Sequence, residues 1–106
     1  MKQVAEGAVV TAERLAEMFR TDRSRIEGAG RRASSALRVH DALKARPIQS
    51  MSSVCDTTGL SFPAVSSAMD LLVDLEIARE LTGKRRNRLF VYDRYLTILN
   101  EGTERA

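Results

Sequence analysis

A short turn between two helix-like stretches constrains this chain more than any other feature. Residues 59–63, GLSFP, combine a glycine able to adopt the left-handed backbone of a sharp turn with a serine suited to cap a helix and a proline suited to its first turn. Apolar residues recur at helical spacing on both sides, from Met51 to the turn and from the turn to about Leu75. This pattern predicts a helix-turn-helix.

The spacing of apolar residues changes after the second helix. Residues 77–81 and 88–92 are short runs of β-branched, aromatic and leucine side chains, which are typical of strands. Residues 82–87 join them and contain Gly83 and three consecutive cations. We therefore predict a β-hairpin with a charged tip, and with it a winged helix-turn-helix: a mainly α-helical fold with a small β-hairpin.

An amphipathic helix is predicted to precede this domain. Residues 2–27 carry an apolar stripe at helical spacing that includes Leu15 and Phe19. A single helix of this length is marginal in water, so the stripe needs a partner. Two partners are open: a second copy of the chain, bound in a homodimer through Leu15 and Phe19, or the winged domain, whose core the stripe would complete. We favour the homodimer.

Glycines and helix caps suggest how the chain divides. The glycines at 28 and 30 interrupt the first helix, and residues 31–45 resume helical spacing as the first helix of the winged fold. Asp93 can cap a last short helix, which we expect to end at Gly102. The predicted parts are an N-terminal helix for linking or dimerisation at 1–28, a winged domain at 31–101 and a frayed tail at 102–106.

The positive charge is unevenly distributed. The formal net charge is +3 and the isoelectric point is about 9.5. Residues 20–46 hold eight cations against three anions, and residues 79–94 hold six against two. Residues 61–77 hold three anions and no cation. Basic segments thus flank the second helix of the turn motif without extending into it, as in a domain that binds a polyanion by its edges.

Residues that could carry chemistry are few. The single cysteine, Cys55, excludes an intrachain disulfide, and the single histidine, His40, has no other ligand at metal-binding spacing. No nucleophile has an adjacent base, and no glycine-rich phosphate loop is present. We therefore expect no catalytic site, no metal and no cofactor. Because no secretory signal or transmembrane run is found, we also expect a cytoplasmic protein that binds no membrane.

The stretch from Ala36 to Leu99 resembles the C-terminal winged helix of multi-domain Fic-family proteins, whose catalytic domain transfers AMP onto hydroxyl groups of target proteins. The resemblance lies in residues 59–63, in the leucine-rich end of the following helix, and in TGKRRNRLFVYDRY at 82–95. Residues 3–27 resemble the helix that leads out of the catalytic domain. The family's catalytic histidine and glycine-asparagine-glycine-arginine loop are missing, so the resemblance implies a regulatory module without the transferase activity.

A DNA-binding module is the function that we favour from the sequence. The second helix of the motif would enter the major groove, while the hairpin and the first helix of the domain would contact phosphates. The residues expected to face the groove are Ser61, Phe62, Ser66 and Ser67. The cations expected to hold the DNA backbone are Lys84, Arg85, Arg86 and Arg88 on the hairpin, with Arg31 and Arg32 near the start of the first helix.

A protein-interaction or autoregulatory module that binds no DNA is the alternative. The predicted outer face between Ser61 and Leu75 has no arginine, lysine, asparagine or glutamine, the side chains that make the strongest paired contacts to base edges. Asp70 and Asp74 lie on that face and would repel a polyanion. This composition favours a partner other than DNA and keeps the second function open.

Overall fold

The structure is a computed structural model of the chain, and it describes residues 2–81 and 88–103, with the side chains of residues 10–81 and 88–101. A short 3₁₀ turn, Gly30–Arg32, precedes α2. In chain order the described elements are α1 (Lys2–Glu27), α2 (Ala33–Ala45), β1 (Ile48–Ser50), α3 (Met51–Thr58), α4 (Phe62–Asp74), β2 (Arg79–Glu80), β3 (Leu89–Val91) and α5 (Asp93–Thr103).

The helix-turn-helix is formed by α3 and α4, as the sequence predicts. Gly59 has a φ of +75° and ends α3 in the left-handed conformation. The Ser61 hydroxyl accepts a hydrogen bond from the Ala64 N–H at 3.3 Å and so caps α4. Pro63 lies in the first turn of α4, where its missing N–H leaves no bond unmade.

A three-stranded antiparallel sheet completes the winged helix-turn-helix, with β3 between β1 and β2. The hairpin of β2 and β3 is confirmed, although both strands are shorter than predicted. Residues 77 and 78 are not part of β2, because their N–H groups bond to the carbonyl of Leu72 at the end of α4. The sequence did not predict β1, which pairs Ile48 with Val91 across the sheet.

One core lies between α2, α4 and the sheet, and α3 closes it on one side. Packing of the apolar faces of α2 and α4 forms its centre. Its fully buried side chains include Val39, Leu43, Met51, Val54, Val65, Met69, Leu72, Ile77 and Phe90.

The C-terminal half of α1 packs against this core. Met18 and Ile26 are buried, and Leu15 and Phe19 are half-buried against the core of their own chain. The Phe19 ring lies 5.1 Å from the Tyr95 ring, measured between centroids. The structure thus supports the alternative in which the stripe completes the core of one chain. A homodimer through Leu15 and Phe19 stays a prediction.

The last helix, α5, packs along α1. Arg14 of α1 pairs with Glu101 of α5 at 2.7 Å. The helix begins at Asp93, as predicted, but it continues through Gly102 to Thr103. The expected end at Gly102 is therefore wrong, because glycine weakens a helix by about 1 kcal/mol without forbidding it. None of the described helices is both long and apolar enough to cross a membrane.

Candidate nucleic-acid interface

The outer face of α4 is the surface that the sequence predicts to face a DNA duplex. At its N-terminal half, Ser61, Phe62 and Ser67 are exposed, and Ser66 is half-buried. The Phe62 side chain is 52% exposed, which is unusual for a phenylalanine in a small domain. The structure therefore displays the four residues predicted to face the groove on one short stretch of helix, with Ser66 the least accessible of them.

The C-terminal half of the same face is acidic. Asp70 and Asp74 are exposed, and they follow Pro63 and Ser67 at intervals of three and four residues, so they share one side of α4. Neither carboxylate forms an ion pair with any residue that the structure describes. The outer face of α4 is thus uncharged in its first half and negative in its second.

Arg32 lies beside the middle of this face. Its guanidinium Nη1 is 3.5 Å from the backbone carbonyl of Ser67, a long contact that brings a cation from the start of α2 to the exposed side of α4. Arg31 is exposed next to it. Neither arginine forms an ion pair within the described ranges, 2–81 and 88–103, whereas Arg14, Arg20 and Arg23 on α1 are each paired with a glutamate.

Of the four cations predicted on the hairpin, the structure describes Arg88. Arg88 is half-buried: its guanidinium lies 3.5 Å from the Glu80 carboxylate and over the Phe90 ring, at 5.2 Å from the centroid. These contacts hold Arg88 against the sheet, and its remaining N–H groups are the ones available to a phosphate. Lys84, Arg85 and Arg86 lie outside the described residues.

A buried polar cluster, which the sequence reasoning missed, joins α1 to the winged domain. Asp22 on α1 is completely buried and accepts a hydrogen bond from the Tyr92 hydroxyl at 2.7 Å. The same hydroxyl oxygen lies 2.9 Å from His40 Nε2 on α2. Asp22 interrupts the apolar stripe between Phe19 and Ile26, and that interruption was the available signal.

The protonation states in this cluster follow from its geometry. The Tyr92 hydroxyl has one proton, which it donates to Asp22, so in the contact with His40 the Nε2–H donates to the Tyr92 oxygen. The other ring nitrogen, His40 Nδ1, is buried without a partner among the described residues. Burial lowers the pKa of His40 from 6.5 to about 4, and the positive charge of Lys44 adds to the shift against an opposing effect of Asp22 and Asp41.

Burial also raises the pKa of the Tyr92 hydroxyl far above its ordinary value, and the hydrogen bond to Asp22 adds to this shift. Tyr92 is therefore a permanent donor at physiological pH. His40 is neutral under the same conditions. The cluster connects α1, α2 and the end of β3, and the pKa shifts of His40 and Tyr92 both lead away from pH 7.

Two arginines complete the surroundings of Asp22. Arg94 on α5 lies 3.3 Å from one carboxylate oxygen, and Arg25 on α1 lies 3.7 Å from the same oxygen. Arg25 also donates to the backbone carbonyl of Leu75, the residue that ends α4. We call Asp22, Tyr92, His40, Arg25 and Arg94 the Asp22 cluster.

Metal-binding groups are not found in the part of the chain that the structure describes. No three histidine, cysteine, aspartate or glutamate residues come together there in an arrangement that could hold a metal ion. His40 Nε2 is already bonded to Tyr92, and Cys55 is half-buried beside the core.

Comparisons with known proteins support the fold. No protein-family model matches the chain, and no curated protein matches it. Among solved structures the chain is similar to RV1404 from Mycobacterium tuberculosis, with a TM-score of 0.53 and 19% sequence identity. The match covers 98% of this chain and 72% of that one. Similarity at this level of identity shows a shared fold, a mainly helical domain with a small antiparallel sheet, and leaves the function to the site itself.

Proposed function

We propose that this chain is a DNA-binding winged-helix module that inserts the N-terminal half of α4 into the major groove. The observation that carries the proposal is the exposed and uncharged start of α4, from Ser61 to Ser67, with the unpaired Arg32 at its side. The N-terminal residues of such a helix make the base contacts in helix-turn-helix proteins. The position of the residues that the sequence singled out fits that docking geometry.

The contacts available to α4 predict modest base specificity. Serine hydroxyls bond to base edges or phosphates, and the exposed Phe62 ring suits the methyl group of thymine. No side chain on this half of the helix makes a two-point hydrogen bond to guanine or adenine. Most of the affinity must therefore come from cations that contact phosphates, and binding must weaken steeply as salt increases.

The acidic half of α4 limits how the duplex approaches. Asp70 and Asp74 are unfavourable next to phosphates, so the helix is expected to enter the groove by its first half and to leave the second half outside. Arg31 and Arg32 then contact the backbone on one side of α4. Residues 82–87, with their cations, supply the contacts of the wing.

The Fic resemblance adds a context to this function. The resembling segment, with α1 leading into it, corresponds to a C-terminal regulatory part of a Fic-family protein. On this proposal the module brings an enzyme or a partner attached to α1 to DNA. It carries no transferase chemistry of its own.

A salt titration of duplex binding tests the proposed function. We expect the wild type to bind a duplex of random sequence at about 50 mM salt and to lose most of that affinity by about 200 mM. Replacing Arg31 and Arg32 together by alanine removes two phosphate contacts and should reduce the slope of log K against log salt by about 1.8. Fluorescence anisotropy with a labelled duplex measures both quantities.

A matched control separates contacts from net charge. The double variant of Arg20 and Arg23 removes the same charge from α1, where both arginines are paired with glutamates. Its slope should stay close to that of the wild type. Absence of duplex binding at protein concentrations of about 10⁻⁴ M and low salt would contradict the proposal, because non-specific binding alone gives a Kd of about 10⁻⁴ to 10⁻⁶ M.

A protein-interaction module is the second candidate, and the unpaired Asp70 and Asp74 favour it. Val73, which is 38% exposed, lies about three turns after Phe62 on nearly the same side of α4, on the flank of these carboxylates. An acidic face with an apolar flank suits a basic partner protein. If the duplex does not bind, this function is the one that remains.

A further inference from the structure

The end of α4 and the end of β3 are both held by one carboxylate on α1. Tyr92 immediately follows β3, and its hydroxyl donates to Asp22 at 2.7 Å. Arg25 pairs with Asp22 and donates to the carbonyl of Leu75, where α4 ends. Helix α4 and strand β3 are thus connected through Asp22, which belongs to α1.

The two connections differ in what the backbone already supplies at each point. The last carbonyls of a helix have no partner within it, and Arg25 satisfies one of them at the end of α4. The next residue, Glu76, has a φ of +63°, so the chain turns sharply there before β2. At the other point, the Tyr92 N–H bonds to the carbonyl of Pro47, and its side chain alone reaches α1.

We propose that Asp22 is a positioning residue that fixes the angle between α4 and the β2–β3 pair. This inference rests on the proposed function, because a duplex must meet α4 and the segment between the two strands at the same time. Without the carboxylate, Arg25 loses the anion that holds it against Leu75, and Tyr92 loses its acceptor. The helix and the strand pair are then held only by the core between them, which fixes their angle less tightly.

A regulatory consequence follows for α1. A partner or a preceding domain that moves α1 by the length of a hydrogen bond breaks the contacts to α4 and to Tyr92 together. DNA affinity would then respond to the position of α1, although α1 itself offers no residue to the duplex.

Hydrogen exchange tests the connection without DNA. The reporter amides are Leu75 and Ile77 at the end of α4 and Tyr92 after β3, each bonded to a backbone carbonyl. In Tyr92→Phe, we expect faster exchange at Leu75 and Ile77, by roughly tenfold, the factor given by loss of one charge-assisted hydrogen bond. In Arg25→Gln, we expect a similar increase in the exchange rate of the Tyr92 amide.

A reference amide separates this effect from a general loss of stability. The Gly59 N–H bonds to Cys55 at the end of α3 and has no contact with the Asp22 cluster. Because Gly59 is exposed at the end of α3, its exchange reports local opening away from the Asp22 cluster, and urea denaturation of each variant gives any loss of overall stability. The reporter amides should change by more than either of these. If Tyr92→Phe affects only its own amide and leaves the end of α4 unchanged relative to Gly59, the inference is wrong.

Duplex binding supplies the second measurement, at a temperature where every variant is fully folded. Arg25→Gln and Arg94→Gln each remove one positive charge beside Asp22, but Arg94 on α5 contacts neither α4 nor β3 through the described bonds. We expect Asp22→Asn and Arg25→Gln to weaken binding by roughly fivefold or more, and Arg94→Gln by less than about twofold.

The outcomes of the two measurements are distinguishable. Equal losses in Arg25→Gln and Arg94→Gln would mean that charge alone matters and would overturn the positioning role. If the wild type binds no duplex, the proposed function fails, and the exchange measurement decides alone whether Asp22 couples the helix to the strand pair.

Discussion

His40 shows how one buried side chain makes the stability of this protein depend on pH. Its Nε2–H donates to Tyr92, and its Nδ1 has no partner among the described residues. A second proton would therefore be buried without an acceptor. The folded chain rejects that proton until about pH 4, whereas the unfolded chain takes it up near pH 6.5.

The stability of the wild type should consequently fall as the pH decreases from about 6.5 to about 4. The expected loss from His40 is roughly 2–3 kcal/mol in the free energy of unfolding, because the unfolded state binds the extra proton over this range. Urea denaturation at several pH values measures it. The variant His40→Gln keeps a donor for Tyr92 and removes the titration.

The comparison between the two proteins isolates the histidine. Above about pH 7 the difference in unfolding free energy between wild type and His40→Gln should be constant, and below that it should change in favour of the variant. Parallel curves across the whole range would show that the pKa of His40 is the same in the folded and the unfolded chain.

At the scale of elements, α1 acts as part of the winged domain. Leu15 and Phe19 contact the core of the same chain, and the Phe19 ring packs against the rings of Tyr92 and Tyr95, at 5.8 and 5.1 Å between centroids. The Lys44 ammonium also lies 5.5 Å from the centre of the Phe19 ring. These contacts leave the C-terminal half of α1 little apolar surface for a second copy.

Substitution in α1 should therefore lower stability without involving a second chain. Phe19→Ala is expected to lower the free energy of unfolding by about 2–3 kcal/mol, less than a fully buried phenylalanine because Phe19 is half-buried. Val10→Ala is the control, since Val10 is exposed on the same helix and should change stability by less than about 0.5 kcal/mol.

The dependence of Tm on protein concentration shows whether the apolar stripe of α1 packs on the core of its own chain or on a second copy. If Leu15 and Phe19 belong to the core of one chain, the Tm of the wild type is independent of concentration. A Tm that increases with concentration, and that loses this dependence in Phe19→Ala, would instead establish the homodimer.

At the scale of the whole molecule, α1 and α5 form a packed pair of helices that are remote in sequence. α5 packs along α1, with Arg14 bonded to Glu101 near one end and Asp22 to Arg94 near the other. Tyr95 and Ile98 of α5 pack against the core on this side. The winged domain is thus closed by contacts between segments that are remote in sequence.

Truncation measures how far α1 depends on α5. A chain that stops at Tyr92 should lose more helical circular dichroism than the residues of α5 account for, because α1 loses its partner and a lone helix is marginal in water. A chain that stops at Glu101 keeps the contacts of Arg14 and should match the full chain in Tm. If the shorter truncation retains the full signal of α1, the helix is stable without α5.

The sequence allowed the local features of this fold to be predicted and missed those that depend on distant partners. The turn at Gly59 and Ser61 was predictable because its backbone conformation and its cap involve neighbouring residues. The three residues of β1 were too few to show an alternating pattern, and they form a strand only because β3 lies beside them.

In the candidate site, too, local features could be predicted from the sequence and contacts between distant residues could not. The exposed start of α4 follows from the helical spacing of its apolar residues, so Ser61 and Ser67 could be placed in advance. The contact of Arg88 with Glu80 needed the register of the hairpin. The bonds of Asp22 to Tyr92 and Arg94 span 70 and 72 residues, a separation at which no spacing rule operates.

The pairing of α1 with α5 also sets an order of events during translation. The ribosome makes α1 before α5, so the part of α1 that α5 covers stays exposed until residues 93–101 have been added. Until then Asp22 also lacks its contact with Arg94. The contacts between α1 and α5 are therefore expected to form after those between α1 and the core of the winged domain.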